Sequence, residues 1–86
     1  MLAFMSDLTQ NEMDVLLRYV APPEQVRSGS VHQRYQLIKP DDVDVATESL
    51  IERGFLAWHP GSLERTRWLE PTPLGRDTAE RVLGQY

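Results

Sequence analysis

A chain of 86 residues, 41% hydrophobic and 26% charged, has the size and balance of one folded domain spanning 1–86, and its composition argues against disorder. It contains no cysteine, which excludes a disulfide framework, a thiolate metal site and a cysteine nucleophile together. The net charge of −4 argues against sequence-blind nucleic-acid binding, and no stretch reaches the roughly 18 apolar residues of a membrane span.

The apolar run Met1-Leu2-Ala3-Phe4-Met5 is shorter than a signal-peptide core, so a cytoplasmic location is expected. Thr9 with Glu12 three residues on has the form of a capping box, with Leu8 and Met13 at the staple positions. Met13, Leu16, Leu17 and Val20 then recur on one helical face, which predicts a first helix over 10–20, stopped by Pro22-Pro23. Residues 22–30 are expected as a linker. Ser30 is a candidate cap for a short second helix over Val31–Leu37 that buries Val31, Tyr35 and Ile38, although Val31–Ile38 also suits a strand.

Pro40-Asp41 opens a third helix with Val43, Ala46, Leu50 and Ile51 on one face. Gly54 stands where a left-handed C-terminal cap is expected, a motif that folds Phe55 back onto Leu50, and Arg53 suits the end of the helix dipole. Residues 55–59 and 65–69 then predict two strands around Pro60-Gly61-Ser62. A loop centred near Leu63 would set Trp58 opposite Trp68 on one face. Thr72-Pro73 begins a last helix carrying Leu74, Ala79, Val82 and Leu83, closed by Gly84. The expected fold is therefore α+β, a winged helix-turn-helix: three helices, a two-stranded β-wing and a C-terminal helix.

Three segments carry a family likeness. Leu50-Ile51-Glu52-Arg53-Gly54-Phe55-Leu56 resembles the exit from the recognition helix of MarR-like winged-helix regulators. Thr72-Pro73-Leu74-Gly75-Arg76 resembles the turn after their wing, and the run from Leu8-Thr9 to Leu16-Leu17 is similar to their first helix. The likeness spans roughly residues 8–83 and implies DNA-associated regulation, with double-stranded DNA as the partner. Laid on the family pattern, Asp41, Asp42, Asp44 and Val45 take the groove-facing positions.

Charge is unevenly spread. Residues 18–39 hold Arg18, Arg27, Arg34 and Lys39 against Glu24, whereas residues 40–52 hold Asp41, Asp42, Asp44, Glu48 and Glu52 with no basic residue. A recognition helix so charged would repel two phosphate walls and release no counterions. If DNA is bound, the candidate contacts are Arg27, Arg34 and Lys39 ahead of the helix, with Arg65 and Arg67 in the wing. They read equally well as solvated arginines paired with the acidic helix. Asp41, Asp42 and Asp44 suit a helix N-terminus, but Glu48 and Glu52 lie beyond the first turn. The competing expectation is a winged helix whose Asp41, Asp42, Asp44, Glu48 and Glu52 dock a basic protein partner, acting as a DNA mimic. A structural or dimerisation module is a third class, and either a monomer or a homodimer fits.

Catalysis, metal and cofactor are not expected. Asp42-Val43-Asp44 lacks the glycine and spacing of a calcium loop, His32 and His59 have no carboxylate pattern beside them, and no phosphate loop or nucleophile motif occurs. Trp58, Trp68 and Tyr35 fit core positions better than a base-stacking platform.

Overall fold

Thr9 and Glu12 do form the capping box: the Glu12 amide donates to Thr9 Oγ1 at 3.1 Å, and the Thr9 amide donates to Glu12 Oε1 at 2.8 Å. They open α1 (Gln10–Val20), the helix against which the helices over Ser30–Gln36, Pro40–Glu52 and Pro73–Leu83 pack. The computed structural model describes residues 8–59 and 68–84. Because α1 is surrounded, Val15 is buried as fully as Leu16 and Leu17, beyond the single stripe that the periodicity predicts.

The expected linker contains a short helix, α2 (Pro23–Arg27). Pro22-Pro23 ends α1, but Pro23 also occupies the first turn of α2, where its missing N–H costs nothing. α3 (Ser30–Gln36) resolves the helix-or-strand ambiguity as helix. Its N-cap is Gly29; Ser30 lies inside the helix and donates its hydroxyl to Gln25 Oε1 at 3.1 Å, so it does not act as the cap. Val31 is buried, with Tyr35 and Ile38 packed against the core.

α4 (Pro40–Glu52) buries Ala46 and Leu50, flanked by partly buried Val43 and Ile51. Gly54 adopts φ +84°, the Phe55 amide donates to the Leu50 carbonyl at 2.9 Å, and the Gly54 amide donates to the Ile51 carbonyl at 3.2 Å. That double return is the C-terminal motif expected, and it needs the left-handed backbone that glycine adopts without a Cβ clash.

β1 (Leu56–Trp58) pairs antiparallel with β2 (Leu69–Pro71), in the register Leu56 with Pro71, Ala57 with Glu70 and Trp58 with Leu69. This is one residue away from the predicted Trp58–Trp68 opposition. Side chains alternate across a sheet, so the slip places the two tryptophans on opposite faces. His59 takes the place facing Trp68: its amide donates to the Trp68 carbonyl at 2.9 Å and the rings lie 4.3 Å apart. Trp58 and Trp68 are 44% and 48% exposed, so neither is a core residue. Residues 60–67, with Arg65, Arg67 and the Leu63 loop centre, lie outside the described residues, as does Met1–Met5.

Thr72 caps α5 (Pro73–Leu83), accepting from the Gly75 amide at 3.0 Å. Ala79 is buried and Val82 and Leu83 are partly so, while Leu74 is half exposed and falls outside the core. The result is an α+β arrangement of helices with a two-stranded antiparallel sheet, compatible with the expected winged helix. No helix among the described residues is long and apolar enough to cross a membrane.

Candidate functional site

Among the described residues, the outward face of α4 concentrates negative charge. At 3.6 residues per turn, Asp41, Asp44, Val45, Glu48 and Glu52 share one stripe opposite the buried Ala46 and Leu50, with Asp42 at its margin. All five carboxylate residues are exposed, and none forms an ion pair with a described residue. Val45, between them, is 64% exposed.

Local helix energetics do not account for this stripe. Asp41 and Asp42 in the first turn complement the positive end of the helix dipole. Glu48 and Glu52 approach the negative end, where a carboxylate is unfavourable. The pairs Asp44/Glu48 and Glu48/Glu52 are like charges four residues apart, each destabilising by about 0.2–0.5 kcal/mol. A face that breaks two local rules at once is where function is expected to reside.

The basic candidates among the described residues are dispersed. Arg34 turns its Nε toward Asp14 Oδ1 at 3.7 Å, and Asp14 also accepts from Gln10 Nε2 at 3.0 Å. Arg27 ends α2 and Lys39 is the N-cap of α4, both exposed. Arg53, immediately after the acidic stripe, is directed to Glu12 at 3.3 Å instead of Glu48 or Glu52. Arg18 lies over the Tyr35 ring, 4.2 Å from its centroid.

Glu12 shows how the acidic residues differ. It is 7% exposed, and besides closing the capping box it accepts from the Ser49 hydroxyl and from Arg53, tying the start of α1 to the end of α4. Burial by itself would raise the carboxyl pKa. The donors outweigh it, first Ser49, then the Thr9 amide and the Arg53 charge, and hold Glu12 below the ordinary carboxylate value. This structural role, spanning 37 and 41 residues of sequence, carries no local signal. Its carboxylate is consumed by the fold, whereas the α4 carboxylates are not.

Beside the acidic stripe, the end of α3 and the start of α4 bound an open groove lined by Tyr35, Gln36, Ile38, Pro40, Val43 and Asp44. Ile38 also borders a second groove, lined by Gln10, Asn11, Asp14 and Arg34, and Leu37 at this corner is 85% exposed. Among the described residues no three His, Asp or Glu side chains gather in a way that could hold a metal ion. No family model, curated protein or solved structure matches the chain.

Proposed function

We propose that this chain is a winged-helix module of the MarR-like type whose third major helix, α4, docks a basic protein partner in place of a DNA groove. The observation that carries this reading is the stripe Asp41, Asp44, Glu48 and Glu52, exposed and without a cationic partner among the described residues. Duplex DNA presents a phosphate charge about every 1.7 Å of axis, and this helix face can only be repelled by it. A basic protein surface meets the same stripe with attraction, and such complementarity raises association rate and specificity.

The resemblance and the exposed Arg27 and Lys39 favour a second reading. Here the module is a DNA-associated regulator that touches phosphates with the α2–α4 connection and the wing arginines Arg65 and Arg67, holding α4 away from the groove. An amide-shift titration with mixed-sequence duplex at low salt tests the two. The docking reading expects no saturable change on α4 or elsewhere. Saturable shifts at Arg27 and Lys39, weakened by Arg65→Ala with Arg67→Ala, would support the regulator reading against it.

A further inference from the structure

We infer that the partner segment is a basic amphipathic helix that seats one apolar side chain in the α3–α4 groove and sets a row of Lys or Arg along α4. This inference rests on the docking reading above and goes further by stating what the partner must look like.

The groove supplies the apolar half. Tyr35, Ile38, Pro40 and Val43 form its walls, and Asp44 stands where the groove meets the acidic stripe. Apolar floor and charged rim are thus continuous on one surface. From Asp44 the carboxylates run on to Glu48 and Glu52 in steps of four residues, about 6 Å of helix rise each. A partner helix has the same rise, so cations four residues apart match these acids one for one. An apolar residue about one turn beyond the last cation then reaches the groove. Irregular basic segments lack that period, and an extended one, with alternate side chains about 6.6 Å apart, falls out of step by about 1 Å over three cations.

Other occupants fit less well. A second copy of the chain laid with α4 on α4 would oppose carboxylates with carboxylates, and its net charge is −4. Duplex DNA and anionic lipid surfaces are repelled by the stripe and have no use for an apolar groove.

The test uses the whole chain and a labelled synthetic alanine-based helix with Lys at every fourth position on one face and Leu one turn beyond the last. Two companion helices are needed, one with alanine in place of the leucine and one with the same lysines scattered around the helix. Anisotropy gives affinity and amide shifts give location. The leucine helix is expected to shift Tyr35, Ile38, Val43, Asp44 and Glu48. The alanine companion should bind about tenfold more weakly without the groove shifts, and the scattered companion more weakly still. Asp44→Lys and Glu48→Lys should each weaken the leucine helix at least about tenfold, while Glu80→Lys on α5 leaves it unchanged.

Should either α4 variant fail to fold, the three helices against the unaltered chain still decide. Equal affinity for all three, with α4 shifts but none in the groove, would overturn this inference and leave the docking reading standing. If no helix shifts α4, both fall. A concentration-dependent dimer that Asp44→Lys disrupts would give the groove to a second copy and also overturn it.

Discussion

The α-carbon of Gly75 lies so close to the Phe55 carbonyl that a Cβ there would sit 2.0 Å from the oxygen and 2.9 Å from the carbon. This contact joins the chain leaving α4 to the first turn of α5. The Thr72 amide donates to the same Phe55 carbonyl at 3.0 Å, and the Thr72 hydroxyl donates to the Gly54 carbonyl at 2.5 Å. The exit of α4 and the entry of α5 are therefore one unit, held backbone to backbone.

Gly75→Ala is accordingly expected to destabilise the domain by about 2–3 kcal/mol, since backbone must move to admit the methyl group. Gly84→Ala is the control: its Cβ would find only ordinary contacts, at 3.5 Å and beyond, and the change should be within about 0.5 kcal/mol. Gly54→Ala falls between, about 1–2 kcal/mol, because φ is +84° there although the space is open. Urea unfolding of the three variants checks the order.

A pH dependence follows from Glu12. Its folded pKa is lowered from 4.5, so near and below that value the unfolded chain binds the proton more readily. The stabilisation is fully present above the unfolded value and is lost as pH falls through the folded one. Glu12→Gln should cost about 1.5–3 kcal/mol at neutral pH and flatten the fall of the urea midpoint as the pH drops below the ordinary carboxylate range. Ser49→Ala should reproduce part of both effects. An unchanged acid profile in Glu12→Gln would contradict this assignment.

The hairpin register is tested by a pair of double-mutant cycles. His59 and Trp68, with rings 4.3 Å apart, are expected to couple by about 0.5–1.5 kcal/mol. Trp58 and Trp68, on opposite faces, should be additive within about 0.5 kcal/mol. Strong coupling between the tryptophans would restore the opposition predicted from the sequence.

What could be read in advance was local. The box at Thr9 and Glu12, the Gly54 cap and the Thr72-Pro73 start each depend on residues within one turn, and each stands where its pattern placed it. The acidic stripe was equally legible, because a helical period and five side chains define it. What failed depended on distant or irregular geometry. The strand register pairs residues well apart in sequence, from Trp58 with Leu69 to Leu56 with Pro71, and no local pattern fixes it. Nothing local signals that Arg34 lies beside Asp14, twenty residues earlier. Prolines at 22 and 23 suggested a linker because a stop for one helix and a start for the next look alike in sequence.

The like charges on α4 predict a variant more stable than the natural chain. Glu48→Lys turns two repulsions, with Asp44 and Glu52, into two attractions and places a cation nearer the negative helix end. Thermal unfolding should shift upward, by a few tenths of a kcal/mol or more in stability. A stability gain from reversing a charge is what a face kept for binding would show. A loss of stability would mean that Glu48 has a structural role.

The central claim, that α4 presents charge to a basic protein and is repelled by DNA, is tested most directly by duplex binding with charge reversal on that face. Fluorescence anisotropy with mixed-sequence duplex at low salt compares the natural chain with Asp42→Lys/Asp44→Lys, a pair that leaves Asp41 at the helix start. The expected result is no binding by the natural chain and measurable, salt-sensitive binding by the variant. Saturable, salt-sensitive duplex binding by the natural chain would contradict the account.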